Sequence, residues 1–236
     1  MKKAALPEPK AGEVRIRVQA ASVCGSDLHA YHFDPSYSFI RVPVILGHEF
    51  AGIIDAVGEG VDTAALGERV IAEANLFCGI CSTCASGNHH ICENFTIHGF
   101  HVNGGFAEYL CVNQEFIHTI PEAIGIVKAS LIEPLSVAVH AVYDRANIKN
   151  GDYVAVFGPG PIGLLTAQVV RCKGGIPILF GIDSDEQSRL PVARSLGIRI
   201  INLSKESLEH ILADLNIPSF DQVIDCSGSS SAVETV

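Results

Sequence analysis

The chain has 236 residues, of which 48% are hydrophobic, with 22 glycines, 8 cysteines and a formal net charge of −10. That size suits one large or two medium domains, and the acidic balance argues against nucleic acid or an anionic membrane surface as partner. No apolar run is long enough to span a bilayer, and Met1-Lys2-Lys3 leads to Pro7 and Pro9 rather than to the apolar stretch of a signal peptide. Four of the cysteines sit in one short cluster, which in a chain of this size reads as metal ligation rather than disulfides and points to a reducing cytoplasm.

Glu13 to Ala21 alternates charged and apolar residues, the pattern of a half-buried strand. It leads to Cys24-Gly25-Ser26-Asp27-Leu28-His29. A cysteine offers the thiolate that zinc favours, although Cys24 alone would read as a small buried hydrophobe. Next comes Gly47-His48-Glu49-Phe50-Ala51-Gly52, continued by Gly58 and Val61, which sets a metal-ligand type and a carboxylate between glycines that let the backbone turn tightly. With its spacing of Gly-His-Glu, two residues, Gly, five residues, Gly, two residues, Val, this stretch resembles the fingerprint of the zinc-containing medium-chain alcohol dehydrogenases, and within them the polyol (sorbitol-like) and threonine dehydrogenase branch. The resemblance runs from Val14 to Ser230.

The resemblance implies roles for these residues. Cys24 and His48 would ligate a catalytic zinc. Ser26 would hydrogen-bond the substrate hydroxyl and pass its proton on, and His29 would receive that proton through the cofactor ribose and release it to water. Asp27 would hold the free ring nitrogen of His48. Glu49 is taken as an alternative ligand and grouped with Ser26 and His29 as catalytic.

Ile53 to Val57 and Glu68 to Ala72 read as short strands separated by glycine turns, which suggests a partly closed β-barrel. The family's catalytic domain is similar, resembling the GroES barrel. Cys78, Cys81, Cys84 and Cys92 follow with gaps of two, two and seven residues. Four thiolates on one loop can close a tetrahedron around zinc with no position left for substrate, and the cluster matches the family's structural-zinc lobe, here residues 75–95. A redox Cys-x-x-Cys pair would instead open a helix in a βαβ unit. His89 and His90 inside the lobe are read as surface residues, His98 and His101 as packing residues, and Cys111 and His118 as structural. Gly104 to Leu110 resembles the return strand of the barrel.

Pro121-Glu122 looks like a helix start, and Ala129 to Arg145 carries helical apolar spacing, with His140 on the core side. Glu133 within it, in Ile132-Glu133-Pro134-Leu135, needs a partner if buried. In the polyol branch the matching glutamate completes the catalytic zinc site.

From Asn150 the pattern changes. Tyr153 to Phe157 is a continuous apolar run, suiting a strand buried on both faces. Gly158-Pro159-Gly160-Pro161-Ile162-Gly163 follows at once, then a helix from Leu164 to Arg171. Strand, GxGxxG and helix in that order mark a dinucleotide site: Gly158 for the turn, Gly160 for approach of the pyrophosphate, Gly163 for close helix–strand packing, with Pro161 and Ile162 at the helix N-terminus facing the phosphates. A second strand, Ile176 to Ile182, ends at Asp183, placed to bind the adenosine ribose hydroxyls and so to favour NAD over NADP. Asp185 is the alternative reader, and Arg189 could turn toward a phosphate. Two more strand–helix units follow, Arg199–Asn202 with Ser204–Leu215, and Gln222–Cys226 with the Ser229 region. Cys226-Ser227-Gly228 resembles the family's turn beside the nicotinamide ribose.

The fold expected is therefore α/β with a β-rich part: a GroES-like catalytic domain over residues 1–148 and a Rossmann NAD-binding domain over 149–236. A dinucleotide fold of this type has six strands, and four are counted, so the resemblance implies two further strands and a C-terminal return to the catalytic domain that are not in this chain. The function expected is a zinc-dependent oxidoreductase that transfers hydride between a secondary alcohol, a polyol, and NAD, with one catalytic and one structural zinc. The full-length form would be a homodimer or homotetramer. A truncated, non-catalytic zinc-binding relative is the alternative.

Overall fold

The computed structural model describes residues 3–230 and Ala232; the start of the chain at Met1 and Lys2, Ser231 and residues 233–236 at the end of the second expected domain lie outside the described residues. The chain divides into two units, Met1–Glu133 and Pro134–Val236. The division falls earlier than the sequence boundary at 148 because Ala138, Val142 and Ile148 join a core with Val154, Val170 and Leu179.

In chain order the first unit comprises β1 (Glu13–Ser22), α1 (Gly25–Tyr31), β2 (Glu49–Val57), β3 (Arg69–Ala72), β4 (Asn75–Leu76), α2 (Ser82–Ala85), β5 (Thr96–Ile97), β6 (Tyr109–Asn113), β7 (Ile117–Thr119) and α3 (Ile126–Ala129), and it ends just inside α4 (Ile132–Val139). Five strands form one sheet in the order β6-β1-β2-β3-β7, antiparallel throughout. Its two edge strands, β6 and β7, are joined by a single 3-10 turn over Gln114–Phe116. A flat five-stranded sheet would separate its edges by about 19 Å at ~4.8 Å per strand. The chain from Asn113 to Ile117 reaches at most ~14 Å, so the sheet must curl. The expected partly closed barrel follows from that connection. Val14, Ile16, Phe50, Ile54, Val70, Leu110, Val112 and Phe116 fill it.

The alternation read in β1 sends Val14 and Ile16 inward, while Arg15 reaches across to Asp55 on β2 at 3.0 Å. The turn at Gly47 has φ +94°, and a Cβ there would lie 2.4 Å from the Phe106 ring. Only glycine fits, and this turn delivers His48 and Glu49 to the start of β2.

The second unit runs β8 (Tyr153–Phe157), α5 (Pro161–Cys172), β9 (Ile176–Gly181), α6 (Arg189–Ser195), β10 (Arg199–Asn202), α7 (Leu208–Leu215) and β11 (Gln222–Asp225). Its sheet is parallel with order β10-β9-β8-β11. Val154 and Val156 face one core and Ala155 and Phe157 the other, which is why β8 reads as an unbroken apolar run.

Three expectations are corrected. Pro121-Glu122 sits in a turn, and the helix starts after the Gly125 cap. The stretch from Ala129 to Arg145 is not one helix: α3 stops at Ala129, α4 begins at Ile132, and residues His140–Arg145 widen into a π-helix. His140 is not in a core; its imidazole is 64% exposed and pairs with Asp144 at 2.9 Å. An apolar period of 3.6 does not report where the hydrogen-bond register changes.

Ile16 is fully buried in the barrel. Ile16→Ala should cost about 2–5 kcal/mol of stability, whereas Arg17→Ala on the outward face of the same strand should stay within ~0.5 kcal/mol. Urea unfolding of both variants checks this.

Candidate metal and cofactor sites

The first cluster is assembled from two distant segments. Cys24 caps the N-terminus of α1, and His48 and Glu49 sit at the start of β2. Their ligand atoms lie within 4.8 Å of one another. One carboxylate joins the segments: Asp27, 2% exposed, accepts the Cys24 N–H at 3.0 Å and the Gly47 N–H at 3.2 Å. Its distance to His48 Nδ1 is 3.7 Å, longer than a hydrogen bond. Asp27 therefore positions the two ligand-bearing segments through their backbone, and the expected hydrogen bond from Asp27 to the His48 ring is not formed at this distance.

The donor set suits a cation. Burial raises the Cys24 thiol above its ordinary pKa, Ser26 hydrogen bonds pull it down, and Glu49 and Asp27 push it up again. Glu133 is raised first by burial, eased by His48, and raised further by Glu49 and Asp27. Four acidic groups thus converge where solvent is scarce, and His48 Nδ1 is buried without a hydrogen-bond partner. A divalent ion would relieve that crowding. Cys24, His48 and Glu49 form the tight set, and Glu133 faces them through their charges without joining it.

Two side chains escaped the sequence reading. The Ser22 hydroxyl lies 2.5 Å from Glu49 Oε2, and Ser22 is the cross-strand partner of Glu49 in the β1–β2 register. Aligning the two strands would have found it. Phe100 packs on the His48 ring with centroids 5.3 Å apart; nothing in its sequence setting signals that contact. Ser26 Oγ is 3.5 Å from His48 Nε2. His29 lies one turn on along α1, stacked on Tyr37 and 2.9 Å from Asp34 Oδ2. The hydroxyl, backbone amide and imidazole donors of Ser36 and His29 hold the Asp34 carboxyl at about 2.

The second cluster is local. Cys81 caps α2, Cys84 lies within it, and Cys78 and Cys92 flank it. The sulfurs of Cys81 and Cys84 are 3.4 Å apart, those of Cys92 and Cys78 3.6 Å, and those of Cys81 and Cys92 3.9 Å. A disulfide needs about 2.05 Å; four thiolates around zinc at ~2.3 Å stand about 3.8 Å apart. The spacing matches the tetrahedron. Backbone N–H groups of Cys78 and Asn94 donate to Cys92 Sγ at 3.3 Å, the outer contacts that orient metal-binding thiolates. His89 stacks on Phe77 outside the sulfur set.

The dinucleotide turn lies in the second unit. Gly160 caps α5 and Pro161 is its first residue. Proline has no N–H, so the free donors at this helix end are the amides of Ile162 and Gly163. A Cβ on Gly163 would stand 1.8 Å from the Gly158 carbonyl, whereas one on Gly160 would meet nothing within 4 Å. The glycines thus separate into one packed inward and one opening onto the space a pyrophosphate would fill. At the end of β9, Asp185 is buried, accepting the Ile182 N–H at 3.1 Å and pairing with Arg189 at 3.1 Å. Asp183 keeps 66% of its side chain exposed. Of the two acids, Asp183 is the one accessible to a ribose.

The two inner sulfurs of the cysteine lobe differ. The Thr83 hydroxyl and the amides of Cys84 and Glu93 hold Cys81 down to about 5, while burial and the neighbouring thiols push Cys84 up to about 12. After zinc is stripped, iodoacetamide at pH 7 should therefore modify Cys81 well before Cys84, because only the former is thiolate there. Peptide mapping reads the order, and added zinc should protect both.

Residues 10–122 match the model of the alcohol dehydrogenase GroES-like domain. Sorbitol dehydrogenase of Halalkalibacterium halodurans is 38% identical over 97% of this chain and 66% of its own length. L-threonine 3-dehydrogenase of Serratia proteamaculans is 34% identical over 98% of this chain and 68% of its own length. Among solved structures, a zinc-binding dehydrogenase from Sinorhizobium meliloti 1021 bound to NADP superposes with a TM-score of 0.87 at 33% identity, covering 98% of this chain and 67% of that one. The chain thus spans about two thirds of the length of the relatives it matches. With the Cys24–His48–Glu49 cluster, the four-cysteine lobe and the strand–glycine turn–helix unit all in place, the chain belongs to the zinc-containing medium-chain alcohol dehydrogenase family, in its sorbitol and threonine dehydrogenase branch.

Proposed function

We propose that the protein to which this chain belongs is a zinc-dependent dehydrogenase that oxidises a secondary alcohol, a polyol, with NAD. The observation that carries the reading is the convergence of Cys24, His48 and Glu49 within 4.8 Å. Similarity to sorbitol dehydrogenase supports a polyol as substrate, and the exposed acid Asp183 supports NAD.

Zinc bound here supplies Lewis acidity toward an alcohol hydroxyl, and NAD supplies the hydride acceptor. Cys24, His48 and Glu133 would hold the metal, with Glu49 as the alternative ligand beside His48. Ser26 and His29 stand at i and i+3 on α1 and so share a face. Ser26 would take up the substrate proton and His29 would release it to water, its Nδ1 oriented by the anionic Asp34. Cys78, Cys81, Cys84 and Cys92 would hold the second, structural zinc. Gly158, Gly160, Ile162 and Gly163 would cradle the pyrophosphate, with Pro161 fixing the first turn of α5. Assembly as a homodimer or homotetramer and a cytoplasmic location belong to the same reading; the first rests on the family alone, the second on eight unpaired cysteines. Among the described residues, no helix is long and apolar enough to cross a membrane.

In the protein, Cys24→Ser and His48→Ala should each lower turnover of sorbitol with NAD at least 100-fold and remove one of two zincs per chain, with the circular dichroism spectrum unchanged. Cys81→Ser should instead remove the other zinc and lower the melting temperature. Full activity in either of the first two variants would reject the reading. A single zinc that survives Cys24→Ser would leave only the cysteine lobe occupied and favour a non-catalytic zinc-binding protein.

A further inference from the structure

Beyond Asp183, the end of β10 carries a hydrogen-bond network behind that carboxylate. Asn202 is its last residue, paired in register with Gly181 at the end of β9, and is only 7% exposed. Its side-chain amide is fully used. Nδ2 donates to Asp183 Oδ1 at 2.8 Å and to Glu186 Oε1 at 2.9 Å, while Oδ1 accepts the Ser204 N–H at 2.9 Å. Ser204 Oγ in turn accepts the Asp183 N–H at 3.2 Å. The carboxylate of Asp183 is thereby fixed from behind while most of its side chain stays in solvent.

The nearby cations are already engaged. Glu186 takes Lys205 at 2.8 Å and Arg194 at 3.2 Å, and Asp185 takes Arg189 at 3.1 Å. Lys205 Nζ is 3.8 Å from Asp183 Oδ1 but a full ångström closer to Glu186. A 2′-phosphate arriving at this edge would meet an oriented anion and cations committed elsewhere. A ribose diol would meet an acceptor held in place.

We propose that Asn202 is a positioning residue that orients Asp183 toward the ribose hydroxyls, and that Glu186, by holding Lys205 and Arg194, withholds from a 2′-phosphate the cations it would need. Together they set the preference for NAD over NADP. This rests on the dinucleotide reading given above.

The test is calorimetric binding of a matched pair, ADP-ribose and 2′-phospho-ADP-ribose, to the chain and to Asn202→Leu and Glu186→Gln. The unsubstituted chain should bind ADP-ribose more tightly. Asn202→Leu should weaken ADP-ribose on the order of tenfold, as expected for loss of a hydrogen bond to a charged group, and leave the phosphorylated ligand unchanged. Glu186→Gln should strengthen the phosphorylated ligand severalfold relative to ADP-ribose; it also serves if Asn202→Leu does not fold. Equal loss of both ligands in Asn202→Leu, or no gain in Glu186→Gln, overturns the proposal. A preference of the unsubstituted chain for the phosphorylated ligand overturns it while leaving the dinucleotide reading intact. Binding of neither ligand removes both.

Discussion

One buried carboxylate holds the metal cluster together. Asp27 accepts the amides of Cys24 and Gly47, which lie on segments that the β1–β2 pairing also brings together. A carboxylate that accepts backbone N–H bonds keeps its charge at low cost, because those donors replace the water lost on burial. That negative charge also raises the Cys24 thiol and Glu133. Asp27 therefore does two opposed things: it fixes the geometry of the donors and makes their ionisation harder. A cation among them resolves the conflict, so the same residue that builds the site also makes the site call for a metal.

The two cysteine-containing clusters differ in how they depend on the fold. The sulfurs of the lobe come from one short stretch, and α2 alone sets two of them. Their assembly needs little loop closure. The Cys24–His48–Glu49 cluster needs the curled sheet, the Gly47 turn against Phe106 and the Ser22–Glu49 pairing all at once. Damage to the barrel core should reach the second kind of site before the first.

This difference also decides what could be read from the residues. The cysteine lobe, the β1 alternation, the apolar β8 and the glycine turn before α5 are local patterns with local consequences, and each lies where its pattern places it. The contact of Ser22 with Glu49 depends on strand register, and that of Phe100 with His48 on tertiary packing; neither has a local signature. The π-helix at His140–Arg145 and the break between Ala129 and Ile132 escaped for a related reason. Apolar spacing constrains which side of a helix is buried on average, but not a local change in its hydrogen-bond register.

The choice between Asp183 and Asp185 shows the same limit. By spacing from the glycine turn, either acid could face a ribose. What separates them is hydrogen bonding: Asp185 turns inward to cap the chain at Ile182 and to hold Arg189, leaving it no exposed face. Asp183 is braced by Asn202, on a strand that follows it in sequence and lies beside it in the sheet. A residue that reads a ligand needs one face in solvent and another held still. In this parallel sheet that second face comes from the neighbouring strand, so the brace for Asp183 just past the end of β9 stands at the end of β10.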